Sequence, residues 1–194
     1  LPFLVKDGPL GPVYNSLAYY GSNGGVIQID QDVNSKTALC EAFYASSEDE
    51  KAASATIISN PLEDDCSFYD TLVEYDFRDE RIGLITHFPS TEEDLIYRFS
   101  DPRPRNIRRA IKEGVVVSRN NAEALDFVFK THVENMAAIG GIAKKRTFFD
   151  AISSKMHSDD WAVFTASIDG KPIAALLVLY FNRTVEYFTP VIIE

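Results

Sequence analysis

The chain has 194 residues, 45% of them hydrophobic and 25% charged, and its nineteen Lys and Arg against twenty-nine Asp and Glu give a formal net charge of -10. That composition is ordinary for a soluble globular protein, with room for one large domain or two small ones, and it excludes polyanion binding through overall charge, so any such contact is local. Cys40 and Cys66 match no metal spacing, only His87, His132 and His157 are histidines, and the longest apolar run, about Ile173 to Leu179, is too short to span a membrane. Both cysteines read as reduced and structural, as in a cytoplasmic protein. The chain opens at Leu1-Pro-Phe-Leu-Val without a methionine and stops in Thr189-Pro-Val-Ile-Ile-Glu194. Both ends read as strand interiors, so the expectation is a piece cut from something longer.

Residues 1–6 and about 12–19 are short apolar stretches around Lys6-Asp-Gly-Pro-Leu-Gly-Pro12, which predicts a hairpin or strand pair. Tyr19-Tyr20-Gly21-Ser22-Asn23-Gly24-Gly25 is a glycine-rich turn with two tyrosines at its entrance. It precedes a helix from about Val33 to Lys51, with Leu39, Ala42, Phe43 and Ala45 as the expected buried positions. A loop of that composition before a helix can cradle an anion with backbone N–H groups or can be a structural turn; it matches neither phosphate-loop motif. Ala55 to Ser59 predicts a strand ended by Asn60-Pro61, and the acidic, aromatic Leu62 to Tyr75 predicts irregular chain or a short helix. Arg81 to Phe88 predicts another strand. Ser90-Thr-Glu-Glu93 carries the capping-box pattern and opens a helix over about Thr91 to Phe99.

Asp101-Pro-Arg-Pro104 then leads into the densest positive charge in the chain. Five of the nineteen Lys and Arg lie between Arg103 and Lys112. Arg105, Arg108, Arg109 and Lys112 recur at i, i+3, i+4 and i+7, one face of a helix that Pro104 starts and Gly114 stops. Ile107, Ala110, Ile111 and Gly114 take the opposite face, and Val115-Val116-Val117 follows as a buried strand. The basic face reads as a dock for an anionic substrate, phosphate or nucleic acid, as a solvated face, or as a partner of the acidic Leu62 to Glu80 region.

Beyond Val117 the pattern becomes regular. Asn121 to Ile139 predicts an amphipathic helix with Leu125, Val128, Phe129, His132, Val133 and Met136 on one stripe, His132 among them as a core or boundary histidine. Gly140-Gly141 ends it. Lys145 to His157 predicts a second helix with Phe148, Phe149, Ile152 and Met156 inward. Strands over Trp161 to Ile168, Lys171 to Phe181 and Thr184 to Val191 follow, joined by Asp169-Gly170 and Asn182-Arg183, both tight hairpin signals. The order β-α-α-β-β-β predicts an α+β layer, with the three last strands consecutive antiparallel neighbours.

That order, with Asp169-Gly-Lys-Pro-Ile-Ala-Ala at the first hairpin, resembles the front half of a GNAT-type N-acyltransferase. Four features in sequence resemble, more narrowly, the FemAB-like family of Fem-type peptidoglycan bridge-forming aminoacyltransferases. These are the Tyr20-Gly21…Gly24-Gly25 turn, Arg105-Asn-Ile-Arg-Arg-Ala-Ile-Lys-Glu-Gly-Val115, a helix ending in Met136…Gly140-Gly141, and Val185-Glu-Tyr-Phe in the last strand. The resemblance covers essentially the whole chain through motifs that are individually weak. It implies a GNAT-like acyl-CoA N-acyltransferase fold in tandem lobes, mostly antiparallel sheet with packed helices. Residues 1–113 would be the back half of a first lobe and residues 114–194 the front half of a second, whose cofactor-closing helix and strands would lie beyond Glu194.

The implied reaction is attack of an amine on an activated carbonyl. It moves an acyl or aminoacyl group to an amine of a cell-wall or surface-polysaccharide precursor in the cytoplasm. No metal or permanently bound cofactor is implied, and acyl-CoA or aminoacyl-tRNA is the donor substrate. Arg105, Arg108, Arg109 and Lys112 are the candidate anchors for the anionic substrate, because guanidinium forks suit phosphate. The turn residues Tyr20, Gly21, Gly24 and Gly25 are further substrate-binding candidates. Glu186 is the candidate base, or exposed strand decoration. Tyr20 and Tyr187 line an acceptor pocket, or pack in an aromatic core. A non-catalytic GNAT-like binding or scaffolding module is the alternative for this polypeptide alone, and a homodimer is expected where sheet edges are left open.

Overall fold

The computed structural model describes residues 1–16, 24–29, 32–63, 66–72, 74–80 and 82–193, which group into two compact units, Leu1–His87 and Phe88–Glu194. Among the described residues no helix is long and apolar enough to cross a membrane.

The first unit is built on a three-stranded sheet. β1 (Leu4–Gly8) and β2 (Gly11–Asn15) form the expected antiparallel hairpin, and β3 (Ser54–Thr56) adds in parallel to the other side of β2. Gly11, at φ 131°, is required at the hairpin, since a Cβ there would stand 3.0 Å from the Lys51 carbonyl oxygen. α1 (Val33–Asp49) is capped by Asp32, whose carboxylate accepts from the backbone of Asn34 and Ser35. Its buried face is Lys36, Cys40, Phe43 and Ser47, so Leu39, Ala42 and Ala45 face out and only Phe43 of the expected stripe is inward. Aromatic packing chooses this face: Phe3, Tyr14 and Phe43 meet with ring centroids 5.4–5.9 Å apart. Lys36 is buried by lying over the Phe68 and Tyr69 rings of α2 (Cys66–Leu72), its Nζ 4.7 and 5.0 Å from their centroids. Residues 82–88 form no strand. Ile82 and Leu84 are 90% and 94% exposed, because none of the described ladders reaches them.

In the second unit, α3 (Glu92–Arg98) is capped by Thr91, one residue later than the capping box suggested, with its hydroxyl accepting from Asp94 N at 3.1 Å. α4 (Arg103–Lys112) has Pro104 in its first turn and ends in a Schellman closure. Gly114, at φ 84°, donates to Ile111, and Val115 N donates to Ala110. No side chain of α4 is fully buried; Ile107 and Ile111 are 39% and 67% exposed, so the predicted apolar face stands open.

The rest is one layer of sheet and one of helix. β4 (Val116–Arg119), β5 (Trp161–Ile168), β6 (Lys171–Phe181) and β7 (Thr184–Ile192) lie in chain order, every pair antiparallel. The two turns carry positive φ at Asp169, Gly170 and Asn182, the backbone that matches a right-handed strand twist. Side chains on one face of β5, β6 and β7 fall in rows: Trp161–Leu179–Glu186, Val163–Leu177–Thr189 and Thr165–Ala175–Val191. α5 (Asn121–Ala138) and α6 (Arg146–Lys155) pack on that face through Leu125, Val128, Phe149 and Ile152. Thr131 takes a buried place that the sequence pattern gave to Val133, which is 40% exposed. β4 is the edge strand, with Val116 and Val117 exposed where a buried strand was expected.

Leu177 is fully buried in this core, whereas Ile111 stands on the open face of α4. Leu177→Ala lowers the unfolding free energy by about 2–5 kcal/mol, and Ile111→Ala changes it by less than about 0.5 kcal/mol, as read by urea denaturation.

Candidate functional site

Glu186 is half-buried, in the row with Trp161 and Leu179 on the helix-covered face of the sheet. Tyr187, the next residue on the strand, takes the opposite face and is 67% exposed. The two residues expected to act together therefore flank the sheet rather than share a pocket. Immediately after them the ladder slips. Val178 pairs with Tyr187 but Leu177 pairs with Thr189, leaving Phe188 as an extra residue. Such a bulge re-aims side chains. Phe188 turns to the helix side and stacks on Phe148 at 5.8 Å, and the Lys144 ammonium lies 5.2 Å from its ring.

Lys144 belongs to the 139–145 connection between α5 and α6. Its backbone N–H donates to Nε2 of the buried His132 at 3.1 Å. Burial pushes the Lys144 ammonium pKa down, and burial followed by repulsion from Lys144 pushes His132 down. Arg146 ties the two helices, donating to Asp126 of α5 at 2.7 Å and to Asp150 of its own helix at 2.9 Å. The Asp126 carboxyl is held below its ordinary pKa by Lys130 and Arg146. Nothing in the residue spacing pointed to Lys144. The available signal was a lysine beside the Gly140-Gly141 helix stop, opposite an aromatic strand residue.

The basic helix presents the four expected cations. Arg105 edges a hollow with Asp101 and Pro102. Arg108 Nε donates to the Pro104 carbonyl at 3.1 Å, and Arg109 Nε pairs with Glu113 at 2.7 Å, which raises the arginine's pKa. Among the described residues neither Arg105 nor Lys112 has a carboxylate partner. In the first unit, Tyr20 and Gly21 lie outside the described residues. Gly24 is half-buried. Gly25, at φ 87°, is packed so closely that a Cβ would meet the Tyr69 hydroxyl at 2.8 Å and the Ile58 carbonyl at 3.2 Å. Tyr69 in turn accepts from Val26 N at 3.4 Å.

Sequence reasoning missed a cleft of about 530 Å³ at the other end of the second sheet. Its floor is the helix-side face of β4 and β5 with the Asp169-Gly170 turn, and its wall is the first two turns of α5. Thr165 stands on that floor, 6% exposed, with no hydrogen-bond partner for its hydroxyl. Among the described residues no group of His, Cys, Asp and Glu is arranged to hold a metal ion.

Residues 103–192 match the family model of the acetyltransferase (GNAT) domain. Two lipid II:glycine glycyltransferases, from two strains of Staphylococcus epidermidis, are each 25% identical over 99 residues, covering 50% of this chain and 24% of their own length. The chain thus spans about a quarter of those relatives. The crystal structure of FemX superposes with a TM-score of 0.70 at 13% identity, over 98% of this chain and 66% of that one. The GNAT-like fold implied by the sequence resemblance is the fold the chain has.

His132 gives the packing behind β7 a pH signature. Its folded pKa is depressed below the unfolded value of about 6.5, so between the two values the unfolded chain binds the extra proton. Stability therefore falls as pH drops below about 6.5 and levels off below the folded pKa. Urea midpoints measured from about pH 8 to about pH 5 decline in the native chain and decline less in His132→Gln.

Proposed function

We propose that the chain is part of an N-acyltransferase, because residues 103–192 match the GNAT domain model and the chain is similar to the lipid II:glycine glycyltransferases and, in fold, to FemX. It moves an aminoacyl or acyl group onto an amine of a cell-wall or surface-polysaccharide precursor. The observation that supports this best is the coincidence of the family match with the consecutive antiparallel sheet β4-β5-β6-β7 and its two covering helices. The activity named for these relatives, glycyl transfer to lipid II, favours aminoacyl transfer with aminoacyl-tRNA as donor; acyl-CoA is the donor of the broader class. Both donors are present in the cytoplasm, which supports a cytoplasmic site of action.

In this reading the neutral amine attacks the donor's carbonyl carbon. A C–N bond forms, the tetrahedral intermediate collapses, and the tRNA 3′ oxygen or CoA sulfur leaves with the electron pair. Glu186 accepts the proton that the amine loses, whereas Tyr187, on the opposite face of the strand, has no role at that amine. Arg105, Arg108, Arg109 and Lys112 hold the donor's phosphates, the role for which planar guanidinium forks are suited. Tyr20, Gly21, Gly24 and Gly25 would contribute from the first unit. No metal or resident cofactor enters this scheme.

Two measurements test it on the full-length parent protein. Glu186→Gln lowers kcat by about 100- to 10,000-fold with little change in donor affinity, the usual share of a proton-transfer group. Arg108→Ala with Arg109→Ala leaves folding unchanged, since both side chains are exposed. It weakens donor binding and flattens the log–log salt dependence by about 2, one unit for each lost phosphate contact. Unchanged affinity for tRNA, acyl-CoA and a nucleotide-linked sugar at low salt removes the anchoring role. Homodimer formation, proposed from the open β4 edge, predicts a mass by light scattering that rises with micromolar concentration.

A further inference from the structure

We infer that His132 is a proton-operated latch on the α5–α6 connection. Neutral, its Nε2 holds the backbone of Lys144; protonated, it releases residues 142–145, and with them the Lys144 ammonium leaves β7. The direction of one hydrogen bond carries this. The Lys144 N–H donates to His132 Nε2 at 3.1 Å. A backbone amide nitrogen only donates, so Nε2 presents its lone pair and the ring proton sits on Nδ1. An imidazolium carries N–H at both nitrogens and has no lone pair to offer. Protonation therefore abolishes the bond and sets two donors face to face.

The surroundings supply no counter-ion that would compensate. His132 is 6% exposed and meets the Phe149 ring of α6 edge-on, with centroids 5.9 Å apart. From the connection, the Lys144 ammonium repels a second proton on the ring, which adds to the effect of burial. On α5 and α6, Asp126, Lys130, Arg146 and Asp150 are engaged with one another in exposed pairs. Glu134 and Lys145 are exposed. In the β5–β6–β7 rows beneath the helices the ionisable side chain is Glu186. Among the described residues Lys144 is the one charge that acts appreciably on the ring.

The release stays local because the helix ends are secured separately. α5 closes through Gly140 N and Gly141 N, which donate to Ala137 and Met136, and α6 opens with Phe148 N donating to Lys145. Residues 142–145 between them are neither helix nor strand, and Ile142 is 94% exposed. The group that moves is Lys144, whose Nζ lies 5.2 Å from the ring centroid of Phe188, the extra residue of the β7 bulge. Burial holds its ammonium below the ordinary lysine pKa, so both cations gain hydration when the connection lifts. In the open state His132 titrates near about 6.5, so opening grows as pH falls through that value and stops growing below the folded pKa. Local opening takes less free energy than global unfolding and responds first. The latch does not rest on the transferase reading.

The test is NMR on the 194-residue chain from about pH 8 to about pH 5. At pH 8 the His132 ring nitrogens are expected to report the Nδ1–H form. The Lys144 amide protection factor, corrected for intrinsic exchange, should fall about five- to tenfold between about pH 7.5 and about pH 5.5. The ring-current shift of the Lys144 Hε protons over Phe188 should fade with the same midpoint, while protection in β5 and β6 holds. His132→Gln, whose side-chain oxygen accepts at every pH, should keep Lys144 protected throughout. An Nε2–H ring at pH 8, a ring still neutral at about pH 5, or a titrating ring with unchanged Lys144 protection overturns the latch. So does protection lost equally in β5 and β6, or in His132→Gln as in the native chain. If His132→Gln does not fold, the coincidence of the midpoints in the native chain decides alone.

Discussion

The position of every group on the second sheet depends on the register set by two tight turns. Asp169-Gly170 and Asn182-Arg183 each hold residues at positive φ, which fixes the residues that lie opposite one another along β5, β6 and β7. A slip of one residue would carry Leu177 and Val163 from the helix-covered face to the other and bring their polar or exposed neighbours inward. The same register puts Glu186 on the covered face at one end of the sheet and Thr165 on it near the other. The core, the Glu186 position and the cleft are therefore consequences of one pairing pattern. The pairing is interrupted twice, between Ala166 and Ser167, where Ile173 is left over on β6, and at Phe188, where the α5–α6 connection comes down onto β7.

Charge is distributed by a different logic. The α5–α6 pair uses its ions internally: Asp126 takes both Lys130 and Arg146, and Arg146 also takes Asp150. These exposed pairs orient two helices that the phenylalanine cluster already holds. Among the described residues α4 gives up only Arg109 to such a pair, and the rest of its positive charge stands exposed. In a chain of net charge -10, that local concentration of positive charge is what the proposed anchoring of an anionic ligand rests on.

The sequence was most legible where local rules and burial agree. Asp169-Gly170 and Asn182-Arg183 specify hairpins by themselves, and Phe149, Ile152 and Leu125 fall inward because helix period and apolar pattern coincide. It was least legible where tertiary partners decide. α1 has apolar residues on more than one face, so the sequence pattern pointed to Leu39 where Cys40 is the buried residue, and Phe3 with Tyr14 settled the matter. Ile82 and Leu84 alternate as a strand should, yet alternation does not supply a neighbour to pair with. Of the candidate site, the basic helix face was readable from the i, i+3, i+4, i+7 spacing. The opposite facing of Glu186 and Tyr187 was readable from strand alternation. Lys144 and the Thr165 cleft were not, because each joins residues from elements far apart in sequence.

The ten-residue α4, closed at its C-terminus but with no side-chain cap at its N-terminus and no side chain fully buried, has a consequence of its own. A helix shorter than about 12–15 residues is marginal in water when tertiary packing does not hold it. Its amide protons therefore exchange through local fraying rather than through global unfolding. Under the proposed anchoring role, a polyanion laid along the arginine face adds contacts that exist only when that face is formed. Occupancy and helicity are then linked equilibria, and the degree of ordering of one short segment becomes a measure of how much ligand is bound.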